Sequence, residues 1–165
     1  MEKEKTCKIV FSDIDGTLLT SDGQITEGTK EMILNLEKKG IPFILTSARS
    51  PEGVRVIKRM LGNHAPIIAF CGGLILDNDG NEIYSKMIPL KRALELKAML
   101  DKDFPAVACN TFGGEKWIVD DRDDWREQRE EKIVGFPAEI GAIKDIFETE
   151  GGIHKLLLMG DPDVM

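Results

Sequence analysis

Asp13 and Asp15 stand one residue apart in the run Ile9-Val10-Phe11-Ser12-Asp13-Ile14-Asp15-Gly16-Thr17-Leu18-Leu19, where a short apolar stretch gives way to a glycine. An apolar run bounded by turn residues reads as a buried strand, and in open α/β sheets ligands collect beyond the carboxyl ends of the strands. Both acids would then sit at a strand mouth. A bend after the strand can aim the two side chains at one small volume, which suits a nucleophile beside a proton donor, or a shared cation. The plainer alternative is an Asp-Gly turn with a solvated acid on either side. Both readings stand on local spacing alone.

The whole run resembles the first motif of the haloacid dehalogenase superfamily, D-x-D-G-T-L after a hydrophobic strand. Gly40-Ile41-Pro42-Phe43-Ile44-Leu45-Thr46-Ser47-Ala48-Arg49 is similar to that family's second motif, a strand ending in Thr-Gly-Arg, with Ser47 in the Thr place and Ala48 in the Gly place. Ile67-Ile68-Ala69-Phe70-Cys71-Gly72-Gly73-Leu74-Ile75 resembles the strand ending in Asn-Gly-Ala of the Cof-like branch, with Cys71 where Asn is usual. The resemblance implies an α/β fold: the N-terminal part of a Rossmann-like core with a parallel sheet over residues 1–85, and an incomplete α/β cap over 86–165.

It also implies a chemistry. Asp13 would attack phosphorus to form an aspartyl-phosphate, and Asp15 would protonate the leaving alcohol and then deprotonate the hydrolytic water. Mg²⁺ would be held by the Asp13 carboxylate and the Asp15 backbone carbonyl, and Ser47 would donate its hydroxyl to a phosphoryl oxygen. Gly16, Thr17, Ala48 and Arg49 fall at substrate-binding positions, although Arg49 could equally pair with a surface acid, and Ser47 could be an ordinary strand-end hydroxyl. The implied activity is a magnesium-dependent phosphatase for small phosphorylated metabolites such as sugar phosphates. A phosphomutase of the same superfamily and a non-catalytic binding or regulatory module are the alternatives. A response-regulator receiver fits less well, because its acids lie on different strands.

Composition narrows the field. Acids outnumber bases 29 to 22 over 165 residues, a net charge of -7 with the basic residues scattered, whereas nucleic-acid binders cluster Lys and Arg. The apolar run Leu156-Leu157-Leu158-Met159 is far short of the roughly 18 residues of a membrane span. The Met1-Glu2-Lys3-Glu4-Lys5 start has no signal-peptide apolar core, so a soluble, cytoplasmic protein is expected. Cys7, Cys71 and Cys109 are dispersed, and His64 and His154 have no companion ligand nearby, so neither a disulfide framework nor a zinc site is indicated.

Several elements must position the acids. A helix is predicted from Glu27 to Lys39, with Met32, Ile33 and Leu36 on one face and Gly40 as its stop. A strand follows from Ile41 to Thr46. Ser50-Pro51-Glu52 then opens a helix by hydroxyl capping, proline in the first turn and an acid at the positive end of the dipole. Val54, Ile57 and Leu61 form its buried stripe. A strand from Pro66 to Phe70 leads to a hairpin, Leu74 to Leu76 and Glu82 to Ser85, turning at Asn78-Asp79-Gly80. Asp77-Asn78-Asp79-Gly80 is out of register for a calcium loop, having Glu82 and Ile88 at the sixth and twelfth positions.

Beyond Pro89 a separate α/β unit is expected. It comprises a helix from Lys91 to Leu100, a strand near Ala106 to Asn110, a Gly113-Gly114 turn, a strand from Lys116 to Val119, a helix near Ala142 to Glu148 and a strand from Ile153 to Met159. Asp120-Asp121-Arg122-Asp123-Asp124 reads as a solvated loop. The family's third-motif Lys and fourth-motif acidic pair are not found. Lys155 and Asp161 imitate them, but successive parallel strands need a crossover of about a dozen residues, and these two lie on one short segment that resembles part of the cap. The strand carrying Asp13 would then become a sheet edge with unpaired backbone groups, prone to form a homodimer or to take up a missing C-terminal core segment.

Overall fold

The computed structural model describes residues 7–161 and residue 163. The Met1–Lys5 start and Pro162 lie outside them. The chain divides into two compact units, Met1–Tyr84 and Ser85–Met165.

The first unit is built on a five-stranded sheet of order β1-β2-β3-β4-β5. Its strands are β1 (Val10–Asp13), β2 (Phe43–Thr46), β3 (Ile67–Ala69), β4 (Leu74–Leu76) and β5 (Glu82–Ser85). β1, β2 and β3 run parallel, and β4 turns back antiparallel against β3. Phe43, Ile44 and Leu45 are all buried, the continuous apolar run of a strand covered on both faces. Helices α1 (Glu27–Lys38) and α2 (Pro51–Leu61) make the crossovers.

Their ends are set locally. The Thr26 hydroxyl accepts from the Thr29 N–H and the Ser50 hydroxyl from the Gly53 N–H, as expected of N-caps. Gly62, at φ +69°, closes α2. Val54, Ile57 and Leu61 form the predicted stripe. On α1, Ile33 is buried but Met32 faces solvent, so the expected apolar face is narrower than its composition suggests. The strand expected to run on through Phe70 ends at Ala69 and enters a 3-10 turn over Phe70–Gly72.

The second unit has a four-stranded sheet of order β11-β7-β8-β9 and a small two-stranded pairing of β10 with β6. Its elements are β6 (Ile88–Pro89), α3 (Leu90–Asp103), β7 (Ala108–Gly113), β8 (Lys116–Val119), α4 (Trp125–Val134), β9 (Glu139–Ile140), α5 (Ile143–Phe147), β10 (Gly152–Ile153) and β11 (Lys155–Met159). Ala93, Ile118, Ile143, Phe147 and Ile153 form a buried cluster. Phe112, Trp117 and Phe136 form an aromatic group, stacked at 5.3 Å and edge-on at 5.4 Å.

Four sequence expectations change here. Helix α4 was not foreseen, because its ten residues bury only Glu127 and Val134 and so carry no apolar stripe. The strand placed near Ala106 to Asn110 lies at Ala108–Gly113, with Gly113 inside it. The last predicted strand is two, broken at His154, whose backbone N–H turns to Phe112 O. The acidic run is an exposed loop over 120–123 as expected, with Asp120 pairing with Lys97 at 2.9 Å, but Asp124 is half-buried and caps α4 by accepting from the Arg126 N–H.

Lys155 lies on β11, antiparallel to β7, with its Nζ 5.3 Å from the centre of the Phe112 ring. It therefore belongs to the second unit's sheet and not to the first. Among the described residues, no helix is long and apolar enough to cross a membrane.

Candidate active site

β1 delivers Asp13 to the carboxyl end of the parallel sheet, where its register partner is Thr46 of β2. Beyond Asp13 the chain winds tightly around the Ile14 carbonyl, which accepts from the N–H groups of Thr17, Leu18 and Leu19 at 3.5, 3.0 and 3.1 Å. Ile14 is fully buried, anchoring the bend between two exposed acids. Gly16 sits at φ +73° with nothing within 4 Å of where a Cβ would lie, so glycine is needed there for backbone conformation and not for space.

Asp13 Oδ1 accepts from the adjacent Ile14 N–H at 2.8 Å, which orients the carboxylate and leaves Oδ2 as the oxygen open to a substrate. Asp15 is held differently. Arg49 donates to it through both arms of its fork, Nε to Oδ2 at 3.0 Å and Nη2 to Oδ1 at 2.7 Å, the bidentate geometry that guanidinium and carboxylate favour. These hydrogen bonds hold the Asp15 carboxyl below its usual range; partial burial opposes the shift, and the Arg49 charge adds to it.

Arg49 is placed by the end of β2. The buried Ser47 hydroxyl accepts from the Arg49 N–H at 3.1 Å. The Ser47 and Arg49 carbonyls accept from the N–H groups of Cys71 and Phe70 at 2.9 and 3.0 Å. Those bonds stitch the second-strand loop to the 3-10 turn and hold Phe70 and Cys71 at φ 50° and 54°, a left-handed conformation that side chains other than glycine seldom adopt. A Cβ on Gly53 would come within 3.2 Å of Arg49 Cβ, so the bare first turn of α2 gives the Arg49 side chain its room.

The fold thus joins Asp15 directly to Arg49, and Ser47 to Arg49 through the backbone. Asp13 shares the same end of the sheet without a hydrogen bond to any of the three. Thr17 takes part through its N–H, and Ala48 lies in the loop between Ser47 and Arg49. Gly53, Phe70 and Cys71 act here through backbone shape, which side-chain chemistry in the sequence does not announce. A separate cleft of about 360 Å³ lies at the far end of α2, among Arg55, Lys58 and Asp77, and contains none of these residues.

Magnesium prefers six oxygen ligands and usually keeps several as water. Among the described residues no group of three or more His, Cys, Asp or Glu could hold a metal ion. Arg49 occupies both Asp15 oxygens, so Asp13 Oδ2 is the one carboxylate oxygen of the pair that remains open. The residues present therefore supply part of a magnesium shell, the open Asp13 oxygen and the Asp15 backbone carbonyl, and not a complete cage, which suits an ion that keeps most of its ligands as water and substrate oxygens.

Comparison with known proteins places this site in context. The family model described as haloacid dehalogenase-like hydrolase matches residues 10–165. A "Putative phosphatase" of Haemophilus influenzae is 36% identical over 124 residues, covering 70% of this chain and 47% of its own. The phosphoglycolate phosphatase of Thermoplasma volcanium is 38% identical over 74 residues, covering 45% of this chain and 33% of its own. The crystal structure of a haloacid dehalogenase-like hydrolase from Bacteroides thetaiotaomicron superposes with a TM-score of 0.80 at 21% identity, over 94% of this chain and 59% of that one. The α/β fold is the one shared with these solved structures. The chain spans less than half the length of these curated relatives.

Proposed function

The chain belongs to the haloacid dehalogenase-like hydrolases, and from that premise we propose that the whole protein is a Cof-like, magnesium-dependent phosphatase of small phosphorylated metabolites, with the first unit as part of its core and the second as part of its cap. The observation that carries the reading is the placement of Asp13, with Oδ2 open, at the mouth of β1 beside the Asp15–Arg49 pair and the Ser47 loop.

In this reading Asp13 Oδ2 attacks phosphorus as the bond to the leaving oxygen breaks, and Asp15 gives that oxygen a proton. Asp15 then accepts a proton from water as the water oxygen attacks phosphorus and frees Asp13. An Asp15 gripped by Arg49 is a poor proton donor. The incoming phosphoryl group, carrying more negative charge than one carboxylate, draws the Arg49 fork onto itself and releases Asp15 to be protonated. Arg49 is then a substrate-binding residue whose resting partner is the general acid. When bound, magnesium supplies positive charge against the phosphoryl oxygens. The Asp13 carboxylate and the Asp15 backbone carbonyl would be this chain's donors to it.

A second reading, a non-catalytic binding module, is favoured for the 165-residue chain itself by the position of Lys155, which lies on a strand of the second unit and so cannot serve as the core-strand lysine of the family. The test is hydrolysis of p-nitrophenyl phosphate with Mg²⁺ by this chain and by a version extended downstream, each with and without Asp13→Asn. We expect the extended protein to be active and Asp13→Asn to cost roughly 10³-fold or more, the scale of losing a nucleophile. Activity untouched by Asp13→Asn would refute the assignment.

A further inference from the structure

Glu127 has no part in the reading above, yet it is the most unusually placed acid among the described residues. It is 2% exposed on α4, a helix whose other buried residue is Val134. Its Oε1 accepts from Asn110 Nδ2 at 2.9 Å, and Asn110 Oδ1 accepts from Trp117 Nε1 at 2.7 Å. An indole N–H can only donate, so the Asn110 amide has one orientation, and the chain from Trp117 through Asn110 to Glu127 has one direction. Its other end is bare: Glu127 Oε2 is buried with no hydrogen-bond partner. A neutral carboxyl tolerates such a site far better than a charge does.

We propose that Glu127 is a proton-operated latch: carried as the neutral acid it lets α4 dock on the sheet, and on ionising it loosens that helix.

The surroundings bear this out on every side. On α4 itself Asp124 and Glu130 disfavour the charge and Arg126 favours it. Arg126 is already committed, forking onto Asp124 and donating to the carbonyls of Ala106 and Met159. From β7 comes Asn110, while its neighbour Cys109 falls on the other face by strand alternation and is a thiol that burial pushes up to about 11. From β8 comes Trp117, and from β11 Lys155, whose Nζ lies over the Phe112 ring. Burial is the largest influence on Glu127 and pushes its carboxyl up to about 7, against the opposing Asn110 hydrogen bond.

The sign of the effect follows by linkage. The folded chain holds the Glu127 proton more tightly than the unfolded chain does, so this stabilisation is complete below the ordinary carboxylate range and is lost as pH rises through neutrality.

Both tryptophans of the chain, Trp117 and Trp125, lie in the second unit, and Trp117 is buried while Trp125 is 62% exposed. Trp117 emission therefore reports unfolding of this unit alone. For the whole 165-residue chain we expect the unfolding constant at a fixed temperature to rise on the order of 30-fold between about pH 5.5 and 8.5. Glu127→Gln, which keeps the hydrogen bond and removes the charge, should flatten most of that rise. A variant as steep as the parent, or a parent with no slope, would overturn the proposal. Should the variant not fold, ¹³C titration of Glu side-chain carboxyls in the unaltered chain decides it: a carboxyl titrating above about pH 6 upholds the proposal, and all of them titrating in the ordinary range near 4 to 5 overturns it.

Discussion

Arg49 connects Asp15 of the first motif to the end of the second strand, and its effect on Asp15 can be measured without turnover. Because the guanidinium holds the Asp15 carboxyl low, Arg49→Ala should move the Asp15 titration midpoint upward, toward the ordinary carboxylate range, as read by ¹³C NMR. If Asp15 is the proton donor of an active extended protein, the alkaline limb of its rate profile should move upward in the same direction, since the acid form persists to higher pH. An unmoved midpoint would show that the fork in the structure does not govern the acid. The motif around Asp13 was legible in the sequence because its duties are local: Gly16 supplies a conformation, and the Ile14 carbonyl gathers three nearby N–H groups. The partner of Asp15 was not legible. It lies 34 positions away, and nothing in either stretch says whether Arg49 faces substrate or a neighbouring carboxylate. Glu127 was hidden for a related reason, since a glutamate in a polar helix carries no mark of burial until the sheet beneath it is known.

Elements with an apolar period were readable, and those without one were not. α2 was visible from its capping serine, its proline and three apolar residues on one face, all of which the fold uses. α4 offered no such stripe. Its only sequence marks were its ends, Asp124 as N-cap and Gly135 at φ +83° as C-cap, and these two are common enough in loops to pass unnoticed. Close approach is equally invisible before the fold is known. Gly113 looks like a turn residue beside Gly114, yet it is the last residue of β7, and a Cβ there would lie 2.5 Å from Cε1 and 2.8 Å from Cδ1 of Phe147. Phe147 is fully buried in the cluster with Ile118, Ile143 and Ile153, so its ring has little room to give. Gly113→Ala should therefore destabilise the second unit by about 1–3 kcal/mol, the usual cost of overpacking. Denaturant unfolding followed by tryptophan emission checks this. A loss below about 0.5 kcal/mol, the range of an ordinary surface substitution, would mean that α5 moves aside freely.

Across the molecule, the parallel sheet of the first unit ends on one side at β1. Val10 spends its N–H on Pro42 O, on the β2 side, so the alternation of a strand turns the N–H and C=O of the next residue, Phe11, toward the open side, where no described residue pairs with them. Ile9 and Phe11 are 43% and 55% exposed beside that edge. Whatever covers it, whether a further stretch of the same protein or a second copy, must offer backbone groups and apolar surface together. In this 165-residue chain we expect concentration-dependent self-association through β1. The net charge of -7 opposes association between copies, and salt weakens that repulsion within a screening length of about 10 Å at 0.1 M, so added salt should strengthen it. Phe11→Pro discriminates backbone pairing from non-specific stickiness, because it removes an outward N–H and spares the inward bonds to β2. Sedimentation velocity of the two proteins at low and moderate salt supplies the measurement. A salt-enhanced dimer that Phe11→Pro returns to monomer supports edge pairing, whereas a parent that stays monomeric at high concentration and moderate salt, or a variant that dimerises as well as the parent, rules it out.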